Sequence, residues 1–273
     1  MKRSIARLLC TASIFLCASF STNGQTPDWD LRALALEREI YAAKDAATHN
    51  QAVAAKASVR KQQGLYREAL EELGRIHTYA LGEQELADYY YQKALCGYLA
   101  GEFDTSLAAI DEAGFYVAPE QMGETMALVE ALAAAQKGDW QRSESAARRH
   151  LAAHPASDEV KQQIDHLYAH TPHLRNPELA WWLSLIPGLG QLYAGEAWSA
   201  LVSLSANAVL GTFAVSEMIA GQWLSGWIVG CGGLSTTYFL GQERARLLTQ
   251  RRNATLLHDF NTTLRTTLLG PTE

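Results

Sequence analysis

The sequence predicts an all-α protein in two parts, an antiparallel helical-hairpin solenoid followed by a transmembrane α-helical hairpin or three-segment bundle. Three observations carry that expectation. A glycine-aromatic-small pattern recurs twice at a 37-residue interval. Two uncharged runs of 20 residues follow it, separated only by a short segment around Glu217. Charge divides along the same line: 28–165 carries 23 acidic and 14 basic residues, whereas 171–273 carries six of each. The acidic half argues against a nucleic-acid partner, because phosphate binding needs clustered Lys and Arg and no basic stripe precedes Arg244.

From the N-terminus, Met1-Lys2-Arg3 and Arg7 precede the apolar stretch Leu8 to Phe20 and the polar Ser21 to Gln25. This is the order of a secretory signal, expected over 1–24 with small residues at Ser19/Ser21 or Thr22/Gly24 for cleavage. Neither Cys10 nor Cys17 follows the small residues that a lipoprotein signal needs. Removal of the signal would leave Cys96 and Cys231, one in each half, which read as two buried thiols rather than a disulfide framework.

The repeat domain is expected over 25–172. Gly64, Gly101 and Gly138 are each followed two residues later by an aromatic, Tyr66, Phe103 and Trp140, and five residues later by Ala69, Ser106 and Ser143. Ala57, Ala94 and Ala131 precede the glycines by seven. Glycine ends a helix by taking positive φ, the aromatic plugs the turn, and the small residues let two helices cross closely. This segment resembles the tetratricopeptide family over roughly 51–170. The 37-residue period and the serines at 106 and 143 depart from that family's 34-residue unit and its alanine. The resemblance implies a groove that holds a protein or peptide, with Tyr90, Tyr91, Lys93 and Tyr98 as candidate groove residues on a first helix.

No catalytic, cofactor-binding or metal-binding residue is assigned. His150/His154 and His166/His170 are spaced by four, yet neither pair has the glutamate of a zinc-protease helix, and Pro155 ends the first. Gly188-Leu189-Gly190 lacks the third glycine of a dinucleotide loop, and Gly230 to Gly233 lacks the Lys-Ser/Thr of a phosphate loop.

The membrane domain is expected over 173–245, with embedded segments near 179–193, 197–216 and 222–241. Between Leu179 and Leu240 only Glu196 and Glu217 are charged, and Trp198, Trp223 and Trp227 stand near segment ends. Ser199/Ser203 and Gly226/Gly230 offer small residues at four-residue spacing for close helix packing. Pro187, Gly188, Gly190, Gln191 and Tyr193 form a P-G-x-G-Q-x-Y motif, similar to that of a family of bacterial membrane domains. That resemblance implies a location rather than an activity. Physically, Pro187 and its glycines break the helix, and Gln191 is placed to satisfy freed carbonyls.

A cleaved signal would put the repeats outside the cytoplasm. The arginines 244, 246, 251 and 252 then favour an odd number of crossings and a cytoplasmic C-terminus. The tail, 246–273, with Leu256, Leu257, Phe260, Leu264 and Leu268, reads as a short amphipathic helix on the bilayer. These features describe a non-catalytic scaffold of the bacterial inner membrane, with repeats on the periplasmic side and an unidentified protein or peptide partner. The alternatives are an accessory subunit of an envelope transport or secretion complex and, on the histidine pairs alone, a zinc-dependent enzyme.

Overall fold

The computed structural model describes residues 28–118, 122–153 and 157–270, and all regular structure among them is helical. The signal expected at 1–24, together with His154 and Pro155, lies outside the described residues. The chain divides into two compact units, with the boundary after Ala80.

The first unit holds α1 (Trp29–Ala42), α2 (Ala46–Gln62), α3 (Tyr66–Leu73) and a 3-10 turn (Thr78–Ala80). Asp28 and Asp45 cap α1 and α2 by accepting the amides of Leu31 and Thr48. Ile40, Ala52 and Val53 form the core, with Ile76 packed on it. Lys56 is buried between two carboxylates, 2.6 Å from Glu37 and 2.5 Å from Glu72, and Arg75 reaches the same pair. A buried ammonium is tolerated because it is paired on two sides. Asn50 clamps the chain after α3 by exchanging two hydrogen bonds with the backbone of His77.

The second unit begins with α4 (Glu83–Leu99), α5 (Phe103–Tyr116), α6 (Glu124–Lys137), α7 (Trp140–Ala153) and α8 (Asp158–Ala169). Gly101 joins the packed pair α4/α5 and Gly138 the packed pair α6/α7, as Gly64 joins α2/α3 in the first unit. The three glycines have φ of 76°, 77° and 74°. Each turn closes with the same bond, from the amide after the glycine to the carbonyl five residues back: Leu65 to Arg60, Glu102 to Gly97, and Asp139 to Ala134. This is the Schellman arrangement, and it explains why glycine recurs at those three positions. The crossings use small residues as the spacing suggests. Ser106 Oγ donates to Ala94 O at 2.8 Å and Ser143 Oγ to Ala131 O at 2.7 Å.

The rest of this unit is α9 (Pro177–Leu183), α10 (Leu189–Ala194), α11 (Ala197–Ile219), the short α12 (Trp223–Ser225), a π-helical turn (Gly226–Cys231) and α13 (Gly232–Leu269). Helix α11 is long and apolar enough to cross a membrane, and only 22% of its most apolar window is buried. It packs against the π turn and α13. Gly226 and Gly230 make this approach possible, since a Cβ on Gly226 would stand 3.2 Å from Ala214 O and one on Gly230 would collide with Ala214. The buried Asn207 is satisfied between the helices: it donates to Ser203 O and accepts from Thr237 Oγ1.

Two segments bear on the sequence expectations. Segment 179–193 is not one helix long enough to cross a bilayer but two pieces of seven and six residues, broken at Pro187 and Gly188. The tail is not a separate helix either. It continues α13, which spans 38 residues and about 57 Å at 1.5 Å per residue. Phe260 and Leu264 are buried with Leu132, Ala147, Leu151, Ile164 and Tyr168, and Phe260 lies 4.6 Å from the Trp140 ring. A segment buried in that core stands on the same side of any membrane as the core itself. The last turns of α13 thus belong to the core of α6–α8.

Candidate recognition groove and membrane motif

The candidate groove residues of α4 do not converge. Tyr90 is buried, with its ring parallel to that of Tyr116 and edge-on to that of Tyr89, and burial pushes its phenol up. Lys93 pairs with Glu112 of α5 at 2.9 Å. Tyr98 packs against the core that holds Phe260, and burial raises its phenol as well. Tyr91 alone lines a depression, a pocket of 340 Å3 between α4 and the start of α6, with Gln84, Ala87, Asp88, Gln92, Gly123, Thr125 and Met126. Gln84, Ala87 and Asp88 precede Tyr91 by seven, four and three, so helical spacing was the signal that could have found them. Four consecutive tyrosine and glutamine positions point around a helix, and only one arc of it faces this pocket.

Of the histidine pairs, only His166/His170 lies wholly within the described residues. The His166 and His170 rings lie 4.4 Å apart and are tilted by 33°, with His170 Nδ1 2.9 Å from His166 O, and His150 is buried. Among the described residues, no three His, Cys, Asp or Glu side chains cluster as metal ligands would. Cys96 and Cys231 are not joined in a disulfide.

The P-G-x-G-Q-x-Y motif does converge, because each residue removes an obstacle to folding α9 and α10 onto α13. Asn176 caps α9 through the amides of Glu178 and Leu179, with Pro177 in the first turn. Gly188 turns the chain at φ 90°, and a Cβ there would stand 2.8 Å from Ala200 O. Gly190 lies where α9, α10 and α13 meet, and a Cβ would collide with Ala180 O and Ser184 Oγ. Gln191 is 0% exposed and donates from Nε2 to Gly241 O at 2.9 Å. Tyr193 OH accepts the amide of Asn176 at 3.0 Å, and its carbonyl accepts from Arg175 Nη1.

Further ties run along α13: Tyr238 OH donates to Leu185 O, Arg246 pairs with Glu178 at 2.9 Å, and Asn253 exchanges two hydrogen bonds with the backbone of Arg175. The motif is thus a latch that fastens the entry to α11 along α13 from Tyr238 to Asn253. The long-range partners, Gly241, Arg246 and Asn253, carry no local sequence signal that pairs them with the motif. No protein-family model, no curated protein and no solved structure matches this chain.

Proposed function

We propose that the chain is a non-catalytic, membrane-anchored scaffold of the bacterial cell envelope, in which tetratricopeptide-like helix pairs offer a groove to a protein or peptide partner and the apolar segments 197–219 and 223–241 anchor it in the inner membrane. The observation that carries this reading is the continuity of α13 from the apolar pair to Phe260 and Leu264 in the core of α6–α8. Such a helix holds α6–α8 at a fixed attitude to the apolar pair, as a scaffold requires. Trp198, Trp223 and Trp227 are exposed near the ends of the apolar pair, as interfacial aromatics are, and Val209 in the middle of α11 is 68% exposed.

The periplasmic placement of the repeats follows from the secretory signal. The positive-inside argument for a cytoplasmic C-terminus weakens, because Arg246 pairs with Glu178.

Val209→Arg separates a lipid-facing helix from a water-facing one. At a solvent-exposed position the substitution is near neutral, whereas at mid-bilayer it costs about 3 kcal/mol. Wild-type protein should resist carbonate extraction from membranes and Val209→Arg should be extracted or degraded. Recovery of wild type as a soluble, monodisperse protein without detergent would overturn the reading.

A further inference from the structure

Two arginines beside the latch are left with unused binding capacity. Arg175 and Arg252 converge on Gly195, which has φ of 93°: a Cβ there would collide with Arg252 Nη1 and stand 3.2 Å from Arg175 Nη1. Arg246, Arg142 and Arg149 pair with carboxylates, but among the described residues neither Arg175 nor Arg252 does. Glu178, the carboxylate nearest Arg175 in sequence, pairs with Arg246, and Glu196, next to Gly195, is exposed and forms no ion pair among the described residues. Each guanidinium has five N–H donors. The contacts found for them are Arg175 Nη1 to Tyr193 O and Arg252 Nη1 to Ala194 O at 3.4 Å.

Arg175 is the ordered member of the pair, and Arg252 is exposed beside it. Asn253 fixes the backbone of Arg175 from both sides, and the Tyr193 ring carries its guanidinium at 5.6 Å. Side chains already ordered lose less entropy when a ligand arrives. The position matters as much as the charge. Helix α11 starts two residues after Gly195, its positive dipole end faces this corner, and Trp198, 75% exposed, marks the polar boundary. Leu189 and Leu192 are exposed on the adjoining helix, where acyl chains would lie.

We propose that Arg175 and Arg252 bind the phosphate of an anionic phospholipid headgroup at the entry to α11, an assignment that rests on the membrane reading above. Planar guanidinium forks match the geometry of phosphate oxygens. A net-negative headgroup is favoured over a zwitterionic one, whose ammonium would face two cations. The motif acquires a purpose beyond folding: Tyr193 supports one arginine, and the glycine two residues later leaves room for the other.

The test uses full-length protein in an uncharged detergent, titrated with short-chain phosphatidylglycerol, short-chain phosphatidylcholine and inorganic phosphate, with bound lipid read by native mass spectrometry. Expected is one equivalent of phosphatidylglycerol, bound about tenfold or more tighter than phosphatidylcholine and not displaced by excess inorganic phosphate. Arg175→Gln with Arg252→Gln should weaken it by about tenfold or more, in line with losing charge-assisted hydrogen bonds. Arg244→Gln with Arg251→Gln should leave it unchanged. If the glutamine pair loses helical circular dichroism, Arg175→Lys with Arg252→Lys decides: weakened binding of phosphatidylglycerol in a folded protein supports the guanidinium site, and binding as tight as wild type overturns it. Equal weakening in the control pair, displacement by inorganic phosphate, or unchanged binding in a folded glutamine pair would each overturn the lipid assignment. A chain that needs no detergent would overturn the membrane reading instead.

Discussion

Ser106 and Ser143 occupy equivalent places five residues after Gly101 and Gly138, and both donate to a carbonyl across a helix crossing. They differ in one respect. Ser143 Oγ also lies 2.6 Å from Tyr168 OH, and burial pushes the Tyr168 phenol up to about 12 against the lowering effect of that hydrogen bond. Ser143→Ala should therefore leave a buried hydroxyl with a lost partner and cost about 1–3 kcal/mol, whereas Ser106→Ala should cost about 1 kcal/mol or less. Urea denaturation of the two variants compares them directly. Because the Tyr168 value is raised on folding, its contribution is present below pH 10 and lost as the pH rises through about 12.

Glu37 has the opposite sign. Hydrogen bonds from Arg75 and Lys56 lower its carboxyl from 4.5 to about 2, so its stabilisation is present above 4.5 and lost as the pH falls toward 2. Glu37→Gln should flatten the acid limb of an unfolding-midpoint profile in that window.

At the scale of elements, the turns were legible in advance and the docking was not. Gly64, Gly101 and Gly138 announce themselves because positive φ is a local demand that glycine meets most cheaply. The four-residue spacing of Phe260, Leu264 and Leu268 announces an apolar face too. What covers that face is Leu132, Ile164 and Tyr168, around 100 residues or more earlier, and nothing near Phe260 names them. The same limit applies to the motif. Its glycines signal a broken helix, while their reason lies in Ala180, Ala200 and Ala245.

The two kinds of glycine should respond differently. Gly101→Ala meets open space and suffers mainly left-handed backbone strain of about 1–2 kcal/mol. Gly190→Ala meets backbone and side chain at once, so overpacking of about 1–3 kcal/mol or more is expected, with the latch displaced from α13. Thermal unfolding in detergent, with protease sensitivity of 177–195 alongside, distinguishes them.

At the scale of the molecule, the second unit is organised by α13. Its first turns pack with α11, its middle receives the latch, and its last turns complete the core of α6–α8. Phe260→Ala removes the aromatic shared by Trp140 and Tyr168, a loss of about 3–5 kcal/mol for a buried phenylalanine. Hydrogen exchange should then rise across 124–169 while membrane association persists, since the apolar pair is untouched.

The membrane reading proposed above, with α8 and the end of α13 on one side, is tested most directly with single cysteines. Gln162→Cys on α8 and Thr262→Cys on α13, both exposed positions, are placed one at a time in a chain whose own four cysteines are replaced. Intact cells with a permeabilised outer membrane are then treated with a membrane-impermeant thiol reagent. Both positions should label to the same extent from the periplasmic side. Labelling of one with protection of the other would contradict a helix that returns from the membrane into the core of its own repeats.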